Sequence, residues 1–306
     1  MSVIFQPVDW ATLAIVSAAL FGTVSIVDKF IIERQVQDVR TFILIIGIQA
    51  WILGLIILLN QPIETGTSFG SVMLAIAAGL TESGGLILMF YALRTDEVSR
   101  AVSVTQTFPI FVAILAVLFL NETLGTLEWM AIVVTVLGAV ILSTRRTSEG
   151  NLLLTRSFLL LILASVAMAL SRILAKEALT ELSSWNMLGI FLISLTPGFL
   201  VVCCRRTTIR EAYQIVKRPI TFSFFIGDSA IAIGALWVQF AAFAAGPVSL
   251  VSALVATRPF FIFMYTILLS QFMPRFLSEP LNPRILVVKF LAIAMIVGGS
   301  SRILMN

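Results

Sequence analysis

Apolar runs of about 20 residues, separated by short polar breaks, recur along the whole chain. A run of that length crosses the hydrocarbon core of a bilayer as a helix. The pattern predicts ten helices, over 8–32, 41–59, 70–93, 99–119, 126–143, 157–176, 185–204, 221–243, 248–270 and 284–304. The longest connector, 205–220, is too short to bury a core of its own, so no soluble domain is expected. The first run is expected to be retained, because "MSVIFQPVDW" has neither a basic leading region nor a small-residue cleavage site.

The runs also resemble each other in order. Shifted by 150 residues, "FYALRTDEVSRAVSVTQTFPIF" (90–111) falls on "FAAFAAGPVSLVSALVATRPFF" (240–261), so that Val98 meets Val248, Thr107 meets Thr257 and Pro109 meets Pro259. Shifted by 147, Lys29 of the first run meets Lys176 of the sixth. "TVLGAVIL" (135–142) resembles "MIVGGSSR" (295–302) after an insertion around 271–283. Each match alone is weak, and their common order and offset carry the inference. The chain therefore divides into repeats over 1–149 and 150–306. Five helices is an odd number, so the second copy enters the membrane from the opposite side. The expected fold is an all-α integral membrane protein of ten transmembrane helices, arranged as two inverted five-helix repeats around a site between them.

Composition agrees and narrows the chemistry. The chain is 59% hydrophobic and 12% charged, against roughly a quarter charged in soluble domains. It has no histidine, which removes Ser-His-Asp and Cys-His catalysis and the usual zinc and haem ligand sets. None of Lys29, Lys176, Lys217 and Lys289 follows a glycine, so no Walker A phosphate loop is present. No cofactor, metal or enzymatic activity is expected. Cys203 and Cys204 are adjacent and read as small apolar residues at a helix end, acylation being the alternative. The net charge of +4 does not form a nucleic-acid patch. Lysine and arginine instead sort by connector: fourteen lie after odd-numbered spans, Arg205, Arg206, Arg210, Lys217 and Arg218 among them, against Lys176 and Arg302 on the other side. The excess marks the cytoplasmic face and predicts that both termini lie outside.

"FYALRTDEVSRAVSVTQTFPIFVAILAVLFLNETLGTLEWMAIVVTVLGAVIL" (90–142) resembles the second part of a repeat unit in the EamA branch of the drug/metabolite transporter superfamily. The family's glycine-glutamate pair after the fourth helix appears as Asn121-Glu122, followed by Leu124. "FGTVSIVDK" (21–29) is similar to its first-helix pattern, with Phe21 where tryptophan is common, and Glu279 and Leu281 echo Glu122 and Leu124 in the second half. The resemblance implies a ten-helix carrier of small metabolites, often an exporter. It also implies cytoplasmic termini, opposite to the charge count, which is the orientation preferred here. The expected location is the plasma membrane, the inner membrane of a bacterium.

Ionisable groups in mid-membrane cost free energy and are expected to face a cavity or a partner. Ala18, Gly22, Ser25 and Lys29 share one helix face, answered by Ser165, Ala169, Arg172 and Lys176. Ala78, Glu82, Gly85 and Met89 share another, answered by Asp228, Ala232, Ala235 and Gln239. These stripes are expected to line a central cavity, with Arg258 as a fixed cation and Glu82 and Asp228 as its counter-ions and proton carriers. Arg172, Gln106, Gln239, Tyr91 and Trp237 complete the substrate and coupling set. Lys29 and Lys176 are weaker candidates, since both could reach the interface. Pro109 and Pro259 break the fourth and ninth helices at equivalent places, either as kinks or to free carbonyls beside the site.

The expected function is secondary transport of a small polar or zwitterionic, amino-acid-like metabolite by alternating access, with export coupled to inward proton flow. The partners are then a small-molecule substrate, protons and membrane lipids, with no nucleic acid. A monomer suffices, a homodimer being the alternative. Flipping or exchange of a lipid-linked or nucleotide-linked sugar is the second reading. A non-transporting membrane partner or an intramembrane lipid enzyme is the reading from another class.

Overall fold

A computed structural model describes residues 9–92, 104–143 and 156–272, and of the last stretch 291, 292, 294, 295, 298, 299 and 303. The described residues form helices α1 (Trp10–Arg34), α2 (Val39–Asn60), α3 (Phe69–Ala92), α4 (Phe108–Phe119), α5 (Thr126–Ser143), α6 (Arg156–Ala178), α7 (Ser184–Cys203), α8 (Arg206–Val216), α9 (Pro219–Ala245), α10 (Val248–Val255) and α11 (Arg258–Phe272). Seven stretches among them are long and apolar enough to cross a membrane, counting Val248–Leu269 as one, and Phe108–Phe119 and Thr126–Ile141 are shorter apolar helices. The protein is a membrane protein whose described residues form helices and no strand. Most of the expected tenth span, 284–304, and Glu279, Leu281, Lys289 and Arg302 lie outside the described residues.

Helices from the two halves pair with each other. α3 packs along α6, α2 along α7 and α1 along α9. Each pair is antiparallel, and its contacts read off like rungs. Along α1 and α9, Trp10 lies beside Gly246, the Ser17 hydroxyl donates to the Ala235 carbonyl at 3.0 Å, the rings of Phe30 and Phe224 are 5.2 Å apart, and Thr221 bonds Gln35. Along α3 and α6, the Ser68 backbone N–H donates to Glu181 at 2.8 Å, Ser171 donates to the Ala78 carbonyl at 2.8 Å, and Gly85 meets Ala164 and Met168. The Ser68 donors hold the exposed Glu181 carboxyl below its usual range.

Small residues make these approaches close. Lipid tails are as apolar as the side chains, so helices gain stability here from van der Waals packing rather than from leaving water. At the α2–α7 crossing Gly54 and Gly189 put backbone against backbone, and a Cβ on Gly54 would come within 2.8 Å of the Gly189 carbonyl oxygen. The Thr196 hydroxyl secures the same crossing with a bond to the Gly47 carbonyl at 3.0 Å. Leu59, Phe69, Val201 and Ile220 cover the outside, as a lipid-facing surface requires.

The connector 205–220 differs from expectation, for α8 occupies it. Ile209, Tyr213 and Val216 form an exposed apolar edge, while Thr208, Ala212 and Ile215 are buried. The flanking arginines hide this i, i+4, i+7 spacing from a search for long apolar runs. Glu211 ties α8 to α2, accepting from the Gln37 backbone at 2.6 Å and from the Thr41 hydroxyl at 2.7 Å.

Gly54→Val should therefore lower stability by about 1–3 kcal/mol through overpacking against a backbone that has no rotamer to yield. A thermal-denaturation series in detergent checks this, with Gly66→Ala, where no atom lies within 4 Å, reading the separate cost of a positive φ.

Candidate functional site

The fourth and ninth spans are broken in the same way. In the ninth, α10 ends at Val255 and α11 begins at Arg258. Across the gap the Thr257 backbone N–H and hydroxyl both donate to the Leu254 carbonyl, at 3.0 and 2.6 Å, and Phe260 donates to the Thr257 carbonyl at 2.8 Å. In the fourth, the Thr107 N–H and hydroxyl donate to the Val104 carbonyl at 3.1 and 2.6 Å, and Ile110 donates to the Thr107 carbonyl at 3.1 Å. Every bond recurs at an offset of 150 residues. Pro109 and Pro259 fall in the first turn of the restarted helices, where a missing N–H removes no helical bond. The threonines satisfy the broken backbone, and Gln106 sits half-buried in the turn of the fourth span.

Of the predicted charges, Glu82 and Arg172 come together. An Arg172 guanidinium nitrogen donates to Glu82 at 2.9 Å across α3 and α6, and Glu82 is buried at 8% exposure. Glu82 is thus the counter-ion of Arg172, not of Arg258. The second Glu82 oxygen, Nε of Arg172 and its other terminal nitrogen have no hydrogen-bond partner among the described residues.

Arg258 belongs to a different group. Its Nε donates to the Ser25 hydroxyl at 2.7 Å, and its guanidinium lies 5.4 Å from the Phe21 ring centroid. Its acidic neighbours are Asp228 and Asp28. Asp28 was not singled out from the sequence, being next to Lys29 and one step off the stripe of small residues. Its signal lies in the helix period: Asp28 follows Ser25 by three residues and Phe21 by seven, on one face of α1.

The stripes themselves serve packing as much as access. Gly22 abuts Phe261, and Gly85 abuts α6. Gln239 is 2% exposed, and its side-chain oxygen has no described partner. Trp237 stacks on Trp185 with centroids 5.1 Å apart, its indole nitrogen likewise without a described partner. Phe240 is core, packed on Phe191 and Phe243, while Phe260 packs on Phe261. Tyr91 is 47% exposed and sits outside the buried polar groups. An open depression of about 640 Å³ lies against Arg206, Ile209, Arg210 and Tyr213 of α8 and touches none of these groups.

The two lysines that an offset of 147 residues aligns differ. Lys29 is exposed and 3.9 Å from Glu33. Lys176 donates to the carbonyls of Phe243 and Gly246 at 2.6 and 3.0 Å, capping the end of α9. From the other side Glu122 accepts from the Val248 N–H at 2.7 Å and from the Ser249 hydroxyl, capping the start of α10. The α9–α10 turn is clamped between them. Asn121, which stands where the resembled family has glycine, has φ 53°. Asparagine is among the few side chains that tolerate that region, so the pair turns the chain and aims Glu122 at α10.

Residues 9–144 match the model of the EamA-like transporter family, which agrees with the resemblance carried by the sequence. An S-adenosylmethionine uptake transporter of Rickettsia prowazekii is 33% identical over 110 residues, 34% of this chain and 36% of that protein; the match thus spans about a third of each. An uncharacterized protein of Methanocaldococcus jannaschii is 29% identical over 43% of this chain and 93% of its own length. An uncharacterized transporter of a Sinorhizobium species is 25% identical over 44% of this chain and 96% of its own. A solved crystal structure superposes with a TM-score of 0.66 over 96% of this chain and 94% of its own, at 14% identity, which is a likeness of fold.

Removing one partner of the Glu82–Arg172 pair leaves the other charged and buried, at a cost of about 3–5 kcal/mol. Glu82→Gln and Arg172→Gln should each lower the denaturation temperature sharply, and the double variant should recover part of the loss. Additive losses in that double-mutant cycle would mean that the two groups are not coupled.

Proposed function

Taking as premise that residues 9–144 carry an EamA-like transporter domain, we propose that this membrane transporter moves a small zwitterionic, amino-acid-like metabolite by alternating access. Export in exchange for protons is the mode we favour. The observation that carries the reading is the matched break at Thr107 and Thr257, with Arg258 opening the second half-helix. Interrupted helices at equivalent places in two repeats are a common construction of carrier binding sites. The antiparallel pairing of α1 with α9, α2 with α7 and α3 with α6 is what an inverted five-helix repeat requires. In the proposed site Arg258 takes the carboxylate of the substrate and Asp228 its ammonium group. Gln106, Gln239 and Trp237 supply neutral polar and aromatic surface. Glu82 with Arg172 forms the charged wall of the other helix pair.

The cargo named for the Rickettsia relative, S-adenosylmethionine, combines a carboxylate with positive charge and fits this pairing. It is the first compound to test. That relative is named for uptake, so the direction of net transport is part of the test. Orientation follows the charge bias. The basic residues around α8 put its connector in the cytoplasm and both termini outside, in a plasma membrane.

Proteoliposomes holding the purified chain should show counterflow of labelled S-adenosylmethionine or of one of the proteinogenic amino acids. No counterflow with any of them removes the amino-acid-like substrate class. Arg258→Leu should raise the KM for a carboxylate-bearing cargo at least tenfold, the loss of one charge-assisted hydrogen bond of roughly 1.5–3 kcal/mol. An unchanged KM would take Arg258 out of the site.

Orientation has its own measurement. A cysteine engineered at Asn306 should be labelled by an impermeant maleimide from outside intact cells. Labelling only after permeabilisation reverses the assignment.

A further inference from the structure

The two helix pairs that the repeat relates balance charge differently. On α3 and α6 one carboxyl, Glu82, meets one guanidinium, Arg172, at 2.9 Å. The repeat offsets carry these positions to Ala232 and Ser25, both uncharged, on α9 and α1. One turn along, Asp228 and Asp28 stand where α3 and α6 have the fully buried Ala78 and Ala175. The antiparallel register that sets Phe30 beside Phe224 and Gln35 beside Thr221 brings Asp28 of α1 opposite Asp228 of α9, and each acid lies in the other's electrostatic field. A carboxylate only accepts, so two facing carboxyls bond each other only when one of them carries a proton.

The cation of this interface comes from α11. Arg258 acts on both acids while its Nε is engaged by Ser25. Two carboxyls thus face one guanidinium, which leaves one negative charge in excess when both are ionised. Asp228 is 3% exposed, and its Oδ1 has no hydrogen-bond partner among the described residues. An uncompensated charge at such a place is strongly disfavoured.

Among the described residues the packed elements bring no second cation. The charged neighbours of Asp28 are Asp228 and Arg258, and those of Asp228 are Asp28 and Arg258. Lys29 turns to Glu33. Lys176 is committed to the far end of α9. From α2, Gln49 accepts from the Ser229 hydroxyl and is neutral.

We propose that Asp28 and Asp228 hold one exchangeable proton between them, balanced by Arg258, and that this pair rather than Glu82 couples the carrier to protons. A cargo whose positive groups outnumber its carboxylates by one supplies the missing positive charge, and the proton leaves to solvent on the open side. Exchange of one for the other is antiport. The proposal rests on the carrier reading for its use, but the proton itself is measurable without transport.

The test is pH-difference infrared spectroscopy on the full chain in detergent, with the proton as the probe. The wild type should show a protonated-carboxyl band that titrates, about one proton per chain. Asp28→Asn and Asp228→Asn should each abolish it, because the single remaining carboxylate is matched by Arg258. Asp28→Glu should keep the band and shift its frequency, which decides the matter even where an Asn variant does not fold. A wild type without the band, a band that survives in both Asn variants, or an unshifted band in Asp28→Glu overturns the proposal. Counterflow without the band defeats the proton pair, and the band without counterflow defeats the carrier reading while leaving the pair standing.

Discussion

In a bilayer core, the charge on a side chain must be answered within the protein, because neither lipid nor bulk water can answer it. That constraint organises this molecule. The Glu82–Arg172 pair satisfies it with one charge of each sign on facing helices. Asp28, Asp228 and Arg258 satisfy it, in the proposal made above, with one shared proton. Lys176 and Glu122 satisfy it by capping the ends of α9 and α10 with opposite charges at opposite termini. Each buried charge thus fixes which helices must be neighbours.

The same constraint acts on the backbone. Interrupting a helix inside the membrane frees donors and acceptors, and both breaks are repaired by a threonine that bonds the carbonyl three residues back with its N–H and its hydroxyl. The prolines that follow take places where no donor is needed. The break is therefore inexpensive in hydrogen bonds, and it places Arg258 at the start of a half-helix rather than inside a continuous one. Glycines at the crossings let the helices come close enough for bonds between them, such as that from the Thr196 hydroxyl to the Gly47 carbonyl.

Particular residues show where reading along the chain succeeds. Thr107 with Thr257 and Pro109 with Pro259 are visible as a repeat, and their hydrogen bonds coincide one for one. The antiparallel rungs from Trp10–Gly246 to Gln35–Thr221 set α1 along α9. Asn121 shows a family position whose physical basis is a left-handed backbone. Tyr91 shows the opposite case: an aromatic residue near a polar stripe reads as part of the site, yet it is exposed and stands outside the buried polar groups. α8 was hidden because its apolar positions are interleaved with arginines.

By itself, the sequence determined the membrane environment, the long apolar helices and the small set of ionisable residues that a membrane interior cannot ignore. These follow from hydropathy and period, which are properties of local stretches. Only the tertiary structure decided the partners: Glu82 with Arg172, Arg258 with Ser25, and Lys176 with the end of α9. Partnership depends on how helices rotate about their axes and where they cross. Those are set by close packing among small residues far apart in the chain, and no single segment encodes them.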